Sequence, residues 1–118
     1  MDKVELAKRS KVFAVKVFKL VDLFPKSKSA DVIAYQLLKS ASSVAANYRA
    51  VNRAKSNAGF INKMAIVLEE ADESNFWLTF ISETELLKKN KELDGLIDES
   101  NQLSAIFTAA LKTLRGKS

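Results

Sequence analysis

Along this chain, apolar or small residues return at alternating spacings of three and four. In residues 2–24 they are Leu6, Ser10, Phe13, Val17, Leu20 and Phe24. This spacing places one stripe along a helix and predicts packing nearly parallel to its neighbours. Pro25 ends the segment. Lys26, Ser27, Lys28 and Ser29 follow as a short polar loop, with Ser29 placed to cap the next helix. The second helix is predicted over 30–53 through Ala34, Leu37, Ala41, Val44, Tyr48 and Val51. A third runs over 57–89 through Phe60, Met64, Val67, Ala71, Leu78 and Ile81, capped by Ser56 or Asn57. At about 1.5 Å per residue it would project past its partners, with Lys88 to Lys91 as cations at its C-terminal end. The fourth is predicted over 92–115 through Leu93, Leu96, Ser100, Leu103, Phe107, Ala110 and Leu114, closed by Gly116. With short connections throughout, the expectation is one all-α domain spanning 1–118, an antiparallel up-down-up-down four-helix bundle.

Two helices carry more apolar residues than one core face needs. Opposite the Met64, Ala71 and Leu78 seam, the third helix places Ile66, Trp77, Phe80 and Leu87, with Glu69 and Glu73 among them. The first helix sets Val12, Val15 and Leu23 among Lys8, Lys11, Lys16 and Lys19. Single exposed apolar residues are ordinary, but a patch of large ones usually marks an interface. The two faces complement each other in hydrophobicity and in charge. Repeated contacts between the first helix of one copy and the third of the next are therefore expected to close a homo-oligomeric ring.

Composition narrows the chemistry. Three Gly and one Pro in 118 residues are too few for a protein built on tight turns between strands. With no Cys there is no disulfide, thiol nucleophile or thiolate ligand, and with no His the usual general base and imidazole ligand are missing. No enzyme activity, metal or cofactor is expected. An enzyme built on carboxylates, Lys and hydroxyls alone is the disfavoured reading. No apolar run reaches the length of a membrane span, and the first residues lack the apolar block of a signal peptide. The expectation is a cytoplasmic protein with no membrane partner.

Charge is unevenly divided. Residues 1–55 hold twelve Lys/Arg and four Asp/Glu, while residues 56–118 hold seven and ten. Such a dipolar surface attracts polyanions at one end or pairs with a neighbouring copy. Lys39, Arg49, Arg53 and Lys55, with Lys8, Lys11, Lys16 and Lys19, are candidate phosphate-backbone contacts. No aromatic stacking platform is evident beside them, so any RNA binding would be electrostatic and weakly sequence-specific. Glu69, Glu70, Asp72 and Glu73 form the densest acid cluster and read as a solvated or ion-paired face. Ser40, Ser43 and Asn47 flank the second helix and read as structural polar groups at a helix interface, as does Glu70.

One stretch carries a resemblance. The run Ser40 to Ala50 (SASSVAANYRA), then Arg53 to Ser56 (RAKS), Phe60 to Met64 (FINKM), Glu69 to Glu73 (EEADE) and Trp77-Leu78 resembles the bacterial four-helix-bundle proteins related to the 23S rRNA intervening-sequence protein. Beyond residues 40–78 the likeness rests on helix pattern and on Phe24-Pro25. It implies an antiparallel four-helix bundle that assembles as a homopentamer, without implying an activity. It also extends to an accessory protein of diversity-generating retroelements, a basic pentamer that binds nucleic acid and a reverse transcriptase. By that pattern Asn47, Glu70 and Glu73 match recurrent polar positions, and Arg49 and Arg53 match basic ones. Gly59 departs from it, standing where an acidic residue is common before Phe60. Two functions follow as expectations. One is an oligomeric protein that binds nucleic acid, ribosomal RNA in particular, through its basic surface. The other is a protein-interaction scaffold that engages a protein partner through the aromatic face of the third helix.

Overall fold

In a computed structural model, which describes residues 1–116, the chain forms four α-helices: α1 (Lys3–Val21), α2 (Lys28–Val51), α3 (Asn57–Thr84) and α4 (Lys91–Gly116). Each packs against the helices before and after it in sequence, and α1 closes the square against α4. The result is an all-α, up-down-up-down rod of 47 × 22 × 20 Å. The α1–α4 seam is the most loosely packed of the four.

The three-four rhythm becomes the core. Leu6, Phe13, Val17 and Leu20 of α1 meet Leu37, Val44, Tyr48 and Val51 of α2, Met64, Val67, Leu78 and Ile81 of α3, and Leu93, Leu96, Leu103 and Phe107 of α4. Tyr48 stacks at a tilt on Phe107, with ring centroids 5.8 Å apart. Burial, followed by the field of Asp2, raises the Tyr48 phenol above the ordinary tyrosine range. One fully buried serine interrupts the seam of each helix: Ser10, Ser40, Ser74 and Ser100. Cross-helix bonds place them near one level. Ser74 Oγ lies 3.0 Å from Ser40 Oγ, and Asn75 Nδ2 donates to Ser100 Oγ at 2.8 Å. Arg9, next to Ser10, pairs with Glu99, next to Ser100. The hydroxyls also bond carbonyls of their own helices, as Ser10 does with Leu6 and Ser40 with Leu37. The small side chains thus make a polar waist without stranding a hydroxyl among them.

The helix ends differ from the sequence expectation for local reasons. α1 stops at Val21 rather than residue 24. Leu23 and Phe24 donate to carbonyls only three residues back, at Leu20 and Val21, a tightening that moves Phe24 out of α geometry before Pro25. The α2 cap is Ser27, which accepts from Ala30 N at 3.1 Å, so the helix begins at Lys28 rather than residue 30. It ends at Val51 instead of 53. Ser56 caps α3 through Gly59 N at 3.0 Å.

The largest difference is the end of α3, at Thr84 rather than residue 89. Glu85 adopts the left-handed conformation, φ 58° and ψ 30°. Its N–H donates to Ser82 O while Leu86 N–H reaches back to Ile81 O, the paired bonds of a Schellman motif. Leu86 then packs on the core. This contact turns the chain, so Lys88 and Lys89 lie in the connection and not on the last turn of α3. Asn90 starts α4 by accepting from Glu92 N and Leu93 N. At its far end Gly116 remains helical and does not take the positive φ of a glycine stop.

Candidate interaction surfaces

The square order of helices sets the charge on the molecule. α1 and α2 are neighbours and carry the basic half of the sequence, while α3 and α4 carry the acidic half. The asymmetry therefore runs across the rod from one long side to the other, and not from end to end.

On the basic side, Lys8, Lys11, Lys16, Lys19, Lys39, Arg49, Arg53 and Lys55 are all exposed. Ala7, Ala14, Ser42, Ala45 and Ala46 are small enough to leave a groove of about 850 Å³ between α1 and α2. Val15, Phe18 and Leu38 wall it, and Lys8, Lys11 and Arg49 stand at its rim. Phe18 is 61% exposed. Val12 and Leu23 are also exposed, on the α1 flank nearer α4.

Along the outer face of α2, Lys28, Lys39 and Arg49 share one side of the helix with Tyr35, which is 63% exposed, and Arg53 follows in the turn after Val51. Sequence reasoning missed this tyrosine. Its signal was available: Tyr35 lies between the core positions Ile33 and Leu37, on the opposite side of the helix from both.

The acidic side is organised around α3. Glu69, Asp72 and Glu73 are exposed and Glu70 is half-buried. Ile66 remains exposed between them and the core. Trp77 and Phe80 are less outward than an ideal wheel makes them, because both are half-buried against the core. Leu87 is likewise half-buried but lies beyond the end of α3. The most exposed aromatic group of α3 is instead Phe76, at 54%, another residue sequence reasoning missed. Phe76, Trp77 and Phe80 form one cluster with ring centroids 4.9 to 5.9 Å apart. Within it the indole Nε1 of Trp77 is buried without a hydrogen-bond partner. The carboxylates of α3 follow the helix surface, and among the described residues no three acidic groups converge to hold a metal ion.

The structural polar candidates separate by role. Ser40 bonds across to Ser74, whereas Asn47 Nδ2 donates to Ser43 O and Ser43 Oγ inside α2. Glu70 offers its backbone carbonyl to Ser74 Oγ at 2.9 Å. The α1–α4 seam is bridged by Arg9, whose Nε and Nη2 donate to both Glu99 carboxylate oxygens at 2.7 and 2.6 Å. This bidentate bond raises the Arg9 pKa.

These surfaces belong to a fold with known relatives. The model of the 23S rRNA-intervening sequence protein family matches residues 2–109. The chain belongs to that family. A protein of unknown function from the S23 ribosomal protein family of Bacteroides thetaiotaomicron, known from its crystal structure, superposes with a TM-score of 0.84 at 28% identity, covering 95% of this chain and 99% of that one. No curated protein matches the chain. Family membership accounts for the four-helix architecture. No helix among the described residues is long and apolar enough to cross a membrane.

Proposed function

We propose that this member of the 23S rRNA-intervening sequence protein family is a non-enzymatic, self-associating bundle that binds nucleic acid along its basic side. The observation behind the reading is the outer face of α2. Lys28, Lys39 and Arg49 are presented there with one aromatic ring, Tyr35, and Arg53 follows in the adjoining turn, while the acids gather on the opposite side. A row of cations fits a phosphate backbone through counterion release, and an exposed tyrosine among them offers a stacking surface for an unpaired base. RNA is favoured over a duplex read by base edges, because the family is named for a ribosomal RNA insertion and a row of cations beside a single exposed ring suits an unpaired strand.

Fluorescence anisotropy with a single-stranded 23S rRNA fragment tests this. Lys39→Ala, Arg49→Ala and Arg53→Ala should each weaken binding and reduce the slope of log affinity against log salt by roughly 0.7 to 0.9 for every phosphate left without its cation. Tyr35→Ala should weaken it with the slope unchanged. Affinity that ignores all four substitutions at every salt concentration would reject the reading.

Self-association rests on a second observation. Val15 and Phe18 on α1, and Ile66 and Phe76 on α3, remain exposed after the core is complete. Large apolar groups grouped in this way usually mark an interface. Five copies, the number the family resemblance implies, is the expected assembly. The α3 aromatic cluster is assigned to a second copy of the chain rather than to a different protein, because its acids are answered by the lysines of α1.

A further inference from the structure

The outward stripes of α1 and α3 share a spacing as well as a composition. On α1, Val4, Lys8, Lys11, Val15 and Phe18 are all exposed, on the side turned away from Leu6, Phe13 and Val17. On α3, Ile66, Glu70, Glu73, Trp77 and Phe80 follow one flank of the helix beside the Val67, Ala71 and Leu78 seam, with Ile66 and Glu73 exposed and Glu70, Trp77 and Phe80 half-buried. Both series step by four, three, four and three residues. Each α1 residue therefore has a counterpart at a constant difference of 62 in sequence number. At that offset Val4 meets Ile66, Val15 meets Trp77 and Phe18 meets Phe80, while Lys8 meets Glu70 and Lys11 meets Glu73. All five levels are complementary.

Other alignments lose this match. Run antiparallel over the same span, Val4 with Phe80, Lys11 with Glu73 and Phe18 with Ile66 would still match, but Lys8 would face Trp77 and Val15 would face Glu70. Slid by one heptad, Val4 would face Glu73 while Lys8 and Lys11 would face Trp77 and Phe80. Opposite charges at matched levels and apolar groups between them are what set partner choice and register in helix pairs.

Resting on the self-association proposed above, we infer that the partner of the α1 stripe is α3 of a second copy, docked in parallel in the register that pairs Val4 with Ile66 and Lys11 with Glu73. Within the up-down-up-down bundle, α1 and α3 point the same way and occupy opposite corners. A parallel contact between copies therefore leaves every copy pointing the same way. Successive copies are related by rotation about an axis along the rods. The contact is heterologous, and it closes as a ring when the rotation divides a full turn. This assignment also separates the cations: Lys8 and Lys11 are answered by Glu70 and Glu73, while Lys39 and Arg49 on α2, and Arg53 just beyond it, stay free for a polyanion.

The chain contains no cysteine, so introduced pairs report the register without background. The double variant Val4→Cys with Ile66→Cys, treated with diamide, should give a ladder of disulfide-linked copies on a non-reducing gel. The double variant Val4→Cys with Phe80→Cys, which reports the antiparallel alignment, should stay unlinked. Lys11→Glu and Glu73→Lys should each weaken association roughly tenfold or more, and the two in one chain should recover most of it. Sedimentation of the same samples separates the two proposals. A protein that associates but links only through the Val4 and Phe80 pair, or through neither, overturns the register and leaves self-association standing. A protein that stays monomeric overturns both.

Discussion

At the residue scale, Glu85 is the clearest departure from what side-chain chemistry favours. A non-glycine residue in the left-handed region is disfavoured by about 1 kcal/mol or more, and the C′ position of a Schellman motif is usually glycine. The position is held by the two backbone bonds and by Leu86 against the core. Glu85→Gly should therefore raise the urea midpoint, stabilising the chain by up to about 1 kcal/mol with an unchanged slope. Equilibrium unfolding followed by circular dichroism checks this, and a loss of stability would show that the Glu85 side chain contributes more than its backbone strain costs. The same residue explains why the end of α3 was illegible in the sequence. Glu carries no stop signal, and Lys88 and Lys89 look like ordinary last-turn cations. The deciding contact, Leu86 with the core, is tertiary. Capping was narrowed by chemistry to Ser56 or Asn57 at α3, and the bond from Gly59 N selects Ser56. Ser27 and Ser29 are equivalent by residue type, and only the backbone shows which of them accepts from the third N–H.

At the element scale, the seams were readable over most of their length, because a three-four spacing leaves little choice of which side of a helix turns inward. At the start of α2 the structure buries Ala30 and Ile33 where Ala34 was expected, and near the end of α4 Leu111 where Ala110 and Leu114 were expected. The serine waist illustrates the rule. Ser10 and Ser100 fall in the seam by spacing alone, against their polarity, and both are fully buried. Ser74 was not expected there. It joins the waist on α3, where apolar residues occur around most of the circumference and the spacing signal is weakest. For the same reason Trp77 and Phe80 are half-buried and Phe76 is the outward ring: the wheel identifies an excess of apolar residues but not how far neighbouring helices cover each one. The single proton on Ser74 Oγ has two acceptors in reach, Ser40 Oγ and Glu70 O. A double-mutant cycle of Ser40→Ala and Ser74→Ala should give a coupling energy of about 0.5 to 1.5 kcal/mol if the cross-helix bond is populated. A coupling of zero would place the proton on the Glu70 carbonyl and make the waist a matter of size alone.

At the scale of the whole molecule, fold and charge division combine. The sequence shows that its first 55 residues are basic, but only the square order of helices turns that into a basic long side opposite an acidic one. The accessible surface is 7363 Å², compared with about 6,400 Å² for a typical monomer of this mass. The excess fits the elongated shape of the rod. A side-to-side charge separation with apolar stripes at two opposite corners favours copies standing beside one another, with α2 and its cations left accessible. Sedimentation equilibrium at micromolar concentration in moderate salt tests this most directly. Self-association predicts a defined species whose mass is a multiple, greater than one, of the 13.1 kDa chain. A single 13.1 kDa species across the concentration range, folded and stable, would contradict it.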